Sequence, residues 1–181
     1  MERLWAGWRS EYVSGATEPA GEGCVFCRIL AAGDDEESGV VWRGRRCAAL
    51  LNAYPYTSGH IMVVPLRHVA EPEDLDAEEA AELWSALTDA LRAIKTAYSP
   101  DGINIGANLG RAAGAGIPGH FHVHVLPRWA ADTNFMTAVA EARVLPEALP
   151  VTLEKLRRAW PAAATAAGDD ERSPVPTPES G

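Results

Sequence analysis

Imidazole and apolar side chains alternate without a break in the run His120-Phe121-His122-Val123-His124-Val125. A period of two belongs to extended chain, so the run predicts a strand over residues 120–126. Its one face carries His120, His122 and His124, and the other carries Phe121, Val123 and Val125. The apolar face demands a core, while the opposite face lines up three of the five histidines in the chain. Such a line suits a nucleophile with supporting groups, a His-x-His metal site or a plain solvated polar face.

The other elements follow from their periods. Asp76 and Glu79 have the spacing of an N-capping pair. Beyond them Ala80, Leu83, Trp84, Leu87, Leu91, Ile94 and Tyr98 recur at threes and fours, predicting an amphipathic helix that ends near Ser99-Pro100-Asp101-Gly102. Further strands are expected over residues 40–42, 47–51, 61–65 and 103–107, with a turn at Tyr54-Pro55-Tyr56-Thr57-Ser58-Gly59 and a weaker helix over residues 146–160. Strands on both sides of one long helix, joined by short turns, make an α+β chain with a mainly antiparallel five-stranded sheet.

With 181 residues, 47% of them hydrophobic, there is material for one domain and some excess. The expected division is an N-terminal extension over residues 1–23, a domain over 24–160 and a disordered tail over 161–181, which has no aromatic residue, Leu or Ile. A net charge of −9 repels a phosphate backbone, so no nucleic-acid polymer is expected as a partner. No membrane partner is expected either. No apolar stretch approaches the roughly 20 residues that span a bilayer, and Met1-Glu2-Arg3-Leu4-Trp5 lacks the signal-peptide pattern, which reads as a cytoplasmic protein. Three cysteines cannot all pair. Cys24-Val25-Phe26-Cys27 has a metal or redox spacing, and Cys47 reads as a small filler of its strand.

The glycine-rich segment Asn104-Ile105-Gly106-Ala107-Asn108-Leu109-Gly110-Arg111-Ala112-Ala113-Gly114-Ala115-Gly116-Ile117-Pro118-Gly119 delivers the chain into the histidine run. Glycines let backbone N–H groups approach an anion closely, and a nest of such donors beside three imidazoles points to chemistry at phosphorus.

On these residues the chain resembles the histidine triad (HIT) superfamily, whose His-φ-His-φ-His-φ-φ motif runs from His120 to Leu126. Leu51-Asn52, Pro55, Ser58-Gly59-His60-Ile61-Met62-Val63-Val64-Pro65 and His68 resemble its first half-site, and residues 104–128 its second. Leu4-Trp5-Ala6-Gly7-Trp8-Arg9, Pro127-Arg128-Trp129 and Asp132-Thr133-Asn134-Phe135-Met136 are similar to the bacterial diadenosine tetraphosphate phosphorylase branch. The resemblance implies a HIT-like fold and a homodimer in which long helix and edge strand meet their mates. It also implies attack by His122 on the α-phosphorus of a dinucleoside polyphosphate.

His124 would orient the nucleophile or contact phosphate. Asn52 matches a ribose-binding position and is otherwise a turn residue; Asn108 matches a phosphate-contacting one and is otherwise a cap on local backbone. The loop has Ala115-Gly116-Ile117 where many relatives carry Gln or Ser, which leaves the N–H groups of Gly116 and Ile117 as donors. Trp129 either stacks on a second adenine or packs in the core. His60 is expected to close the turn after Gly59. The resemblance completes a structural zinc site from Cys24, Cys27, His68 and His120, with an unmetallated pair or a redox couple as alternatives. The acceptor is inorganic phosphate in a phosphorylase and water in a dinucleoside polyphosphate or phosphoramidate hydrolase. A non-catalytic nucleotide binder and a hydrolase using the three histidines as metal ligands stand as other classes.

Overall fold

The computed structural model describes residues 23–130, 132 and 147–162. The expectations for the extension over 1–22, for most of the tail and for Thr133 to Met136 lie outside the described residues. Helix α1 (Val25–Ala31) is followed by β1 (Val40–Arg43), β2 (Cys47–Leu51), β3 (Ile61–Pro65), α2 (Ala77–Tyr98), β4 (Gly102–Gly106), β5 (Val123–Arg128) and α3 (Leu149–Ala159). The strands form one sheet in the order β1-β2-β3-β5-β4, every neighbouring pair antiparallel. The expected α+β architecture with one long helix and a shorter C-terminal one is what the chain adopts.

Helix α2 begins at a full capping box, in which the Asp76 carboxylate accepts the Glu79 N–H and the Glu79 carboxylate accepts the Asp76 N–H. It ends where Ser99 turns left-handed at φ 45°. The buried stripe is Leu83, Ala86, Leu87, Ala90, Ala93 and Ile94, packed on Cys47, Ala49, Ile61, Val63, Val123 and Val125 of the sheet. This differs from the expected stripe. Successive helical residues are about 100° apart, so Trp84, one such step round from Leu83 in the middle of the stripe, points away from the sheet and is 69% exposed. The alanines take its place because their small size lets helix and sheet approach. Cys47 is fully buried in this core, as expected of a filler.

Both faces of the central strands are covered. Phe26 of α1 packs with Val40, Ala48, Leu50, Met62 and Val64 on the face away from α2. Helix α3 starts at Leu149, three residues beyond the expected boundary, and closes onto β1 through Trp42 and Trp160, whose rings stack 5.7 Å apart. Between β2 and β3 the turn needs glycine: Gly59 has φ +82°, and a Cβ there would meet the Tyr98 ring at 2.9 Å.

The fifth strand is displaced from its expected span of 120–126 to Val123–Arg128. Its ladder with β3 pairs Val63 with Val123, and the same register would set Pro65 opposite Phe121. Proline has no N–H to donate, so the ladder stops there. Phe121 N–H donates instead to Val69 O, at 2.6 Å. The alternation of faces survives without the ladder. Phe121, Val123 and Val125 lie in the α2-side core, and Phe26 on the other side packs on His120 and His122.

The Glu79 carboxylate also receives Arg67, Nε at 2.8 Å and a terminal nitrogen at 2.6 Å. Arg67 and the Asp76 N–H hold this buried carboxyl at about 2, against an ordinary 4.5. Because the folded-state pKa is depressed, the stabilisation is complete above about 4.5 and fades as pH falls towards about 2. Glu79→Gln should therefore cost about 1–3 kcal/mol at neutral pH. The gap between the urea midpoints of the two proteins should shrink as pH falls from about 4.5 and close towards about 2, and a gap independent of pH would refute the assignment.

Candidate active site and metal cluster

His122 is buried, and its Nδ1 lies 2.8 Å from the carbonyl oxygen of His120. A carbonyl only accepts, so Nδ1 carries the proton and the Nε2 of the neutral ring carries the lone pair. Burial pushes the His122 pKa below the usual imidazole value of 6.5, which keeps the ring neutral near pH 7. Phe26, with its ring centre 5.2 Å away, fixes the imidazole plane.

The neighbouring imidazole has the opposite polarity. Tyr56 N–H donates to His60 Nδ1 at 3.2 Å, so a neutral His60 carries its proton on Nε2. His60 Nε2 donates in turn to His124 Nδ1 at 2.9 Å, which leaves the His124 proton on Nε2. His122 and His124, with ring centres 4.9 Å apart, thus combine a lone pair and a proton donor in one site. His60 does close the turn, its N–H bonding Thr57 O, but its fully buried ring also sets the tautomer of His124. The expectation of a purely structural His60 missed this role. The signal available was its place directly before the strand that pairs with the histidine strand.

A second cluster lies behind the first. Cys24 Sγ is 3.3 Å and Cys27 Sγ 3.6 Å from His120 Nδ1, and Cys27 Sγ is 3.3 Å from His68 Nδ1. All four donor atoms fall within 4.8 Å of one another. Metal–sulfur bonds of about 2.3 Å and metal–nitrogen bonds of about 2.0 Å place tetrahedral donors about 3.3–3.8 Å apart, and the three sulfur–nitrogen separations above match that spacing. Burial pushes the Cys27 thiol up to about 11 beside Cys24, so thiolate there needs a compensating cation. His120 donates Nε2–H to Pro65 O at 2.9 Å, directing its Nδ1 lone pair to the thiols. A metal can therefore be held by Cys24, Cys27, His68 and His120.

The other expected residues divide. Asn52 follows β2, its side-chain oxygen accepting the Tyr54 N–H in a local turn. Asn108 Nδ2 donates to Gly114 O at 3.4 Å, across the base of the glycine loop. That loop is closed by Gly114 N–H to Arg111 O and Ala115 N–H to Gly110 O. Ile117 leans on the Phe26 cluster, with Gly116 beside it. Trp129 is not brought to the histidines. Five residues of extended chain, about 17 Å, separate it from His124, and its ring packs edge-on to Tyr98 with centres 6.3 Å apart.

Fold, histidine line and loop together mark a chain of one family. Residues 34–131 match the HIT domain, and the chain belongs to that family. It is 42% identical to an AP-4-A phosphorylase of Mycobacterium tuberculosis, over 88% of this chain and 85% of that protein. An asymmetrical bis(5'-nucleosyl)-tetraphosphatase of Schizosaccharomyces pombe is 36% identical over 52% of each chain. A solved Zn-bound histidine triad family protein from Mycobacterium smegmatis superposes with a TM-score of 0.61 at 28% identity, covering 75% of this chain and 91% of that one.

The tautomers are directly measurable. Imidazole nitrogen shifts by NMR at neutral pH should show Nδ1 protonated in His122 and Nε2 protonated in His124. A proton on Nε2 of His122 would remove its nucleophilic atom and contradict the geometry.

Proposed function

We propose that the chain is an enzyme of nucleotidyl transfer that phosphorolyses diadenosine tetraphosphate to ADP and ATP. The observation that carries this is the His122 lone pair, fixed on Nε2 by the His120 carbonyl beside a proton-bearing His124. His122 Nε2 attacks the α-phosphorus, the bond to the bridging oxygen breaks, and ATP leaves. His124 Nε2–H donates a hydrogen bond to the bridging oxygen and keeps its proton, stabilising the negative charge that builds there as the bond breaks. A covalent adenylyl-imidazole remains, splitting one hard displacement into two. Inorganic phosphate then attacks the same phosphorus, releasing ADP and restoring His122.

Asn108 and the N–H groups of Gly116 and Ile117 are assigned to the phosphate oxygens, where charge builds up in the transition state. Asn52 is assigned to the ribose hydroxyls. Trp129 serves the second adenine only if the extended tetraphosphate reaches the far end of β5. The metal is assigned as zinc, since two thiolates and two imidazoles with no open position form a structural site. When bound it cross-links α1, the loop after β3 and the start of the histidine run. The identity with the M. tuberculosis phosphorylase favours phosphate as acceptor, while the S. pombe tetraphosphatase keeps water as the second reading.

Product analysis separates the two. With diadenosine tetraphosphate, ADP should appear only when phosphate is supplied, and release of AMP at the same rate without phosphate would replace phosphorolysis by hydrolysis. His122→Ala should lower turnover by about a thousandfold or more. Turnover unchanged by that substitution would sink both versions, and a pure nucleotide binder would show none in either protein.

A homodimer is part of the same reading. Strand β4 ends the sheet with an exposed edge, and Ile105 and Trp84 are 46% and 69% exposed. Light scattering at micromolar concentration should give twice the chain mass of 19.3 kDa, and a single-chain mass would refute the dimer.

A further inference from the structure

The Glu79–Arg67 pair reaches further than a helix cap. Arg67 immediately precedes His68, and its guanidinium is spoken for on two sides. Nε and a terminal nitrogen meet the two Glu79 oxygens, and the same terminal nitrogen donates to Asp74 O at 2.8 Å. The Glu79 side chain is only 4% exposed, whereas that of Arg67 is 51% exposed. A buried carboxylate without its cation is costly, so the anchored partner is Glu79 and the chain at Arg67 must come to it. The planar two-point contact sets direction as well as distance.

What this contact orders is the short segment of residues 66–69. Leu66 N–H donates to Arg46 O at 2.7 Å, tying the segment's start to the sheet. His68 Nδ1 comes within 3.3 Å of Cys27 Sγ. Val69 O accepts the Phe121 N–H, between His120 and His122 in the chain. Arg67 is therefore the only side chain of the segment with an ionic tie to the far side of the core among the described residues, and it stands next to the cluster's one donor outside the Cys24–Cys27 pair and the histidine run.

The geometry points to Glu79 as a positioning residue for the metal cluster, acting through Arg67 to hold His68 within ligating distance of Cys27. This rests on the zinc reading given above. The carboxylate belongs to α2 and touches neither metal donors nor the reacting atoms, so its effect on the cluster is indirect. Glu82 offers an internal control. Its carboxylate accepts the N–H groups of Arg46 and Cys47 at 2.8 and 2.9 Å, anchoring the same helix to the same sheet without touching Arg67.

The experiment is zinc release from the full-length zinc-loaded protein to a chromophoric chelator, alongside the absorption spectrum after cobalt replacement. Loss of outer-sphere support weakens metal binding by about 10–100-fold, and Glu79→Gln should do so. Arg67→Lys keeps the charge but loses the two-point contact, so it should fall between wild type and Glu79→Gln. Glu82→Gln should stay within about twofold of wild type even where it lowers the unfolding midpoint to the same degree. The cobalt bands should shift in Glu79→Gln and Arg67→Lys alone. Wild-type zinc affinity and cobalt bands in those two variants, or equal losses in Glu82→Gln, would overturn the proposal. Should Glu79→Gln not fold, Arg67→Lys against Glu82→Gln decides by the same criteria. Wild-type protein that takes up no zinc would sink the zinc reading itself and this inference with it, an outcome distinct from failure of the variants.

Discussion

His120 is joined to the protein at three points, and the candidate site hangs on them. Its Nδ1 faces two thiols, its Nε2–H is held by Pro65 O, and its own carbonyl holds the Nδ1–H of His122. The ring is fully buried, and burial lowers its pKa to about 4, so it stays neutral and cannot lose its acceptor face to a proton. Any rotation of this residue would move the carbonyl that fixes the tautomer of the proposed nucleophile. The cysteine–histidine cluster and the proposed nucleophile are thus two ends of one connected unit.

The sheet provides the rigidity that this unit needs. Strand β3 is buried on both faces and contributes at both ends, since His60 precedes it and Pro65 ends it. Pairing of β3 with β5 sets Met62 opposite His124, which brings His60 within reach of the His124 ring. The same register terminates at Pro65, freeing the Phe121 N–H for Val69 O in the loop after β3 and the His120 carbonyl for the His122 ring. A ladder continuing through residue 120 would have used those groups for sheet pairing. The break that sequence patterning did not anticipate is therefore what gives the site its second layer.

Much of this was legible in the residues. Alternation of imidazole and apolar side chains demanded two faces, and both are present. The capping pair at Asp76 and Glu79 and the apolar spacing behind it made α2 readable, because helix start signals act locally. The pair Cys24 and Cys27 was readable from its spacing and its two histidine partners from a resemblance, and the four donor atoms lie within 4.8 Å of one another. The exposure of Trp84 was not readable. Which side of a helix is buried to its edge depends on how closely the facing strands approach, and only packing with Ala86, Ala90 and Ala93 reveals that. The ionic tie from Arg67 to Glu79 escaped for a similar reason, as nothing in their separate surroundings announces a contact across the β3–α2 connection.

By itself the sequence determined the elements, their facing and the residue types available for chemistry, since those depend on dihedral preferences and periods of two and 3.6. Tertiary structure decided the protonation pattern. Which nitrogen of His122, His124 and His60 bears the proton depends on a carbonyl, a second ring and a backbone N–H brought within about 3 Å by strand pairing and the β2–β3 turn. Hydrogen-bond partners distant in the chain are a property of register, and register forms only when the strands assemble.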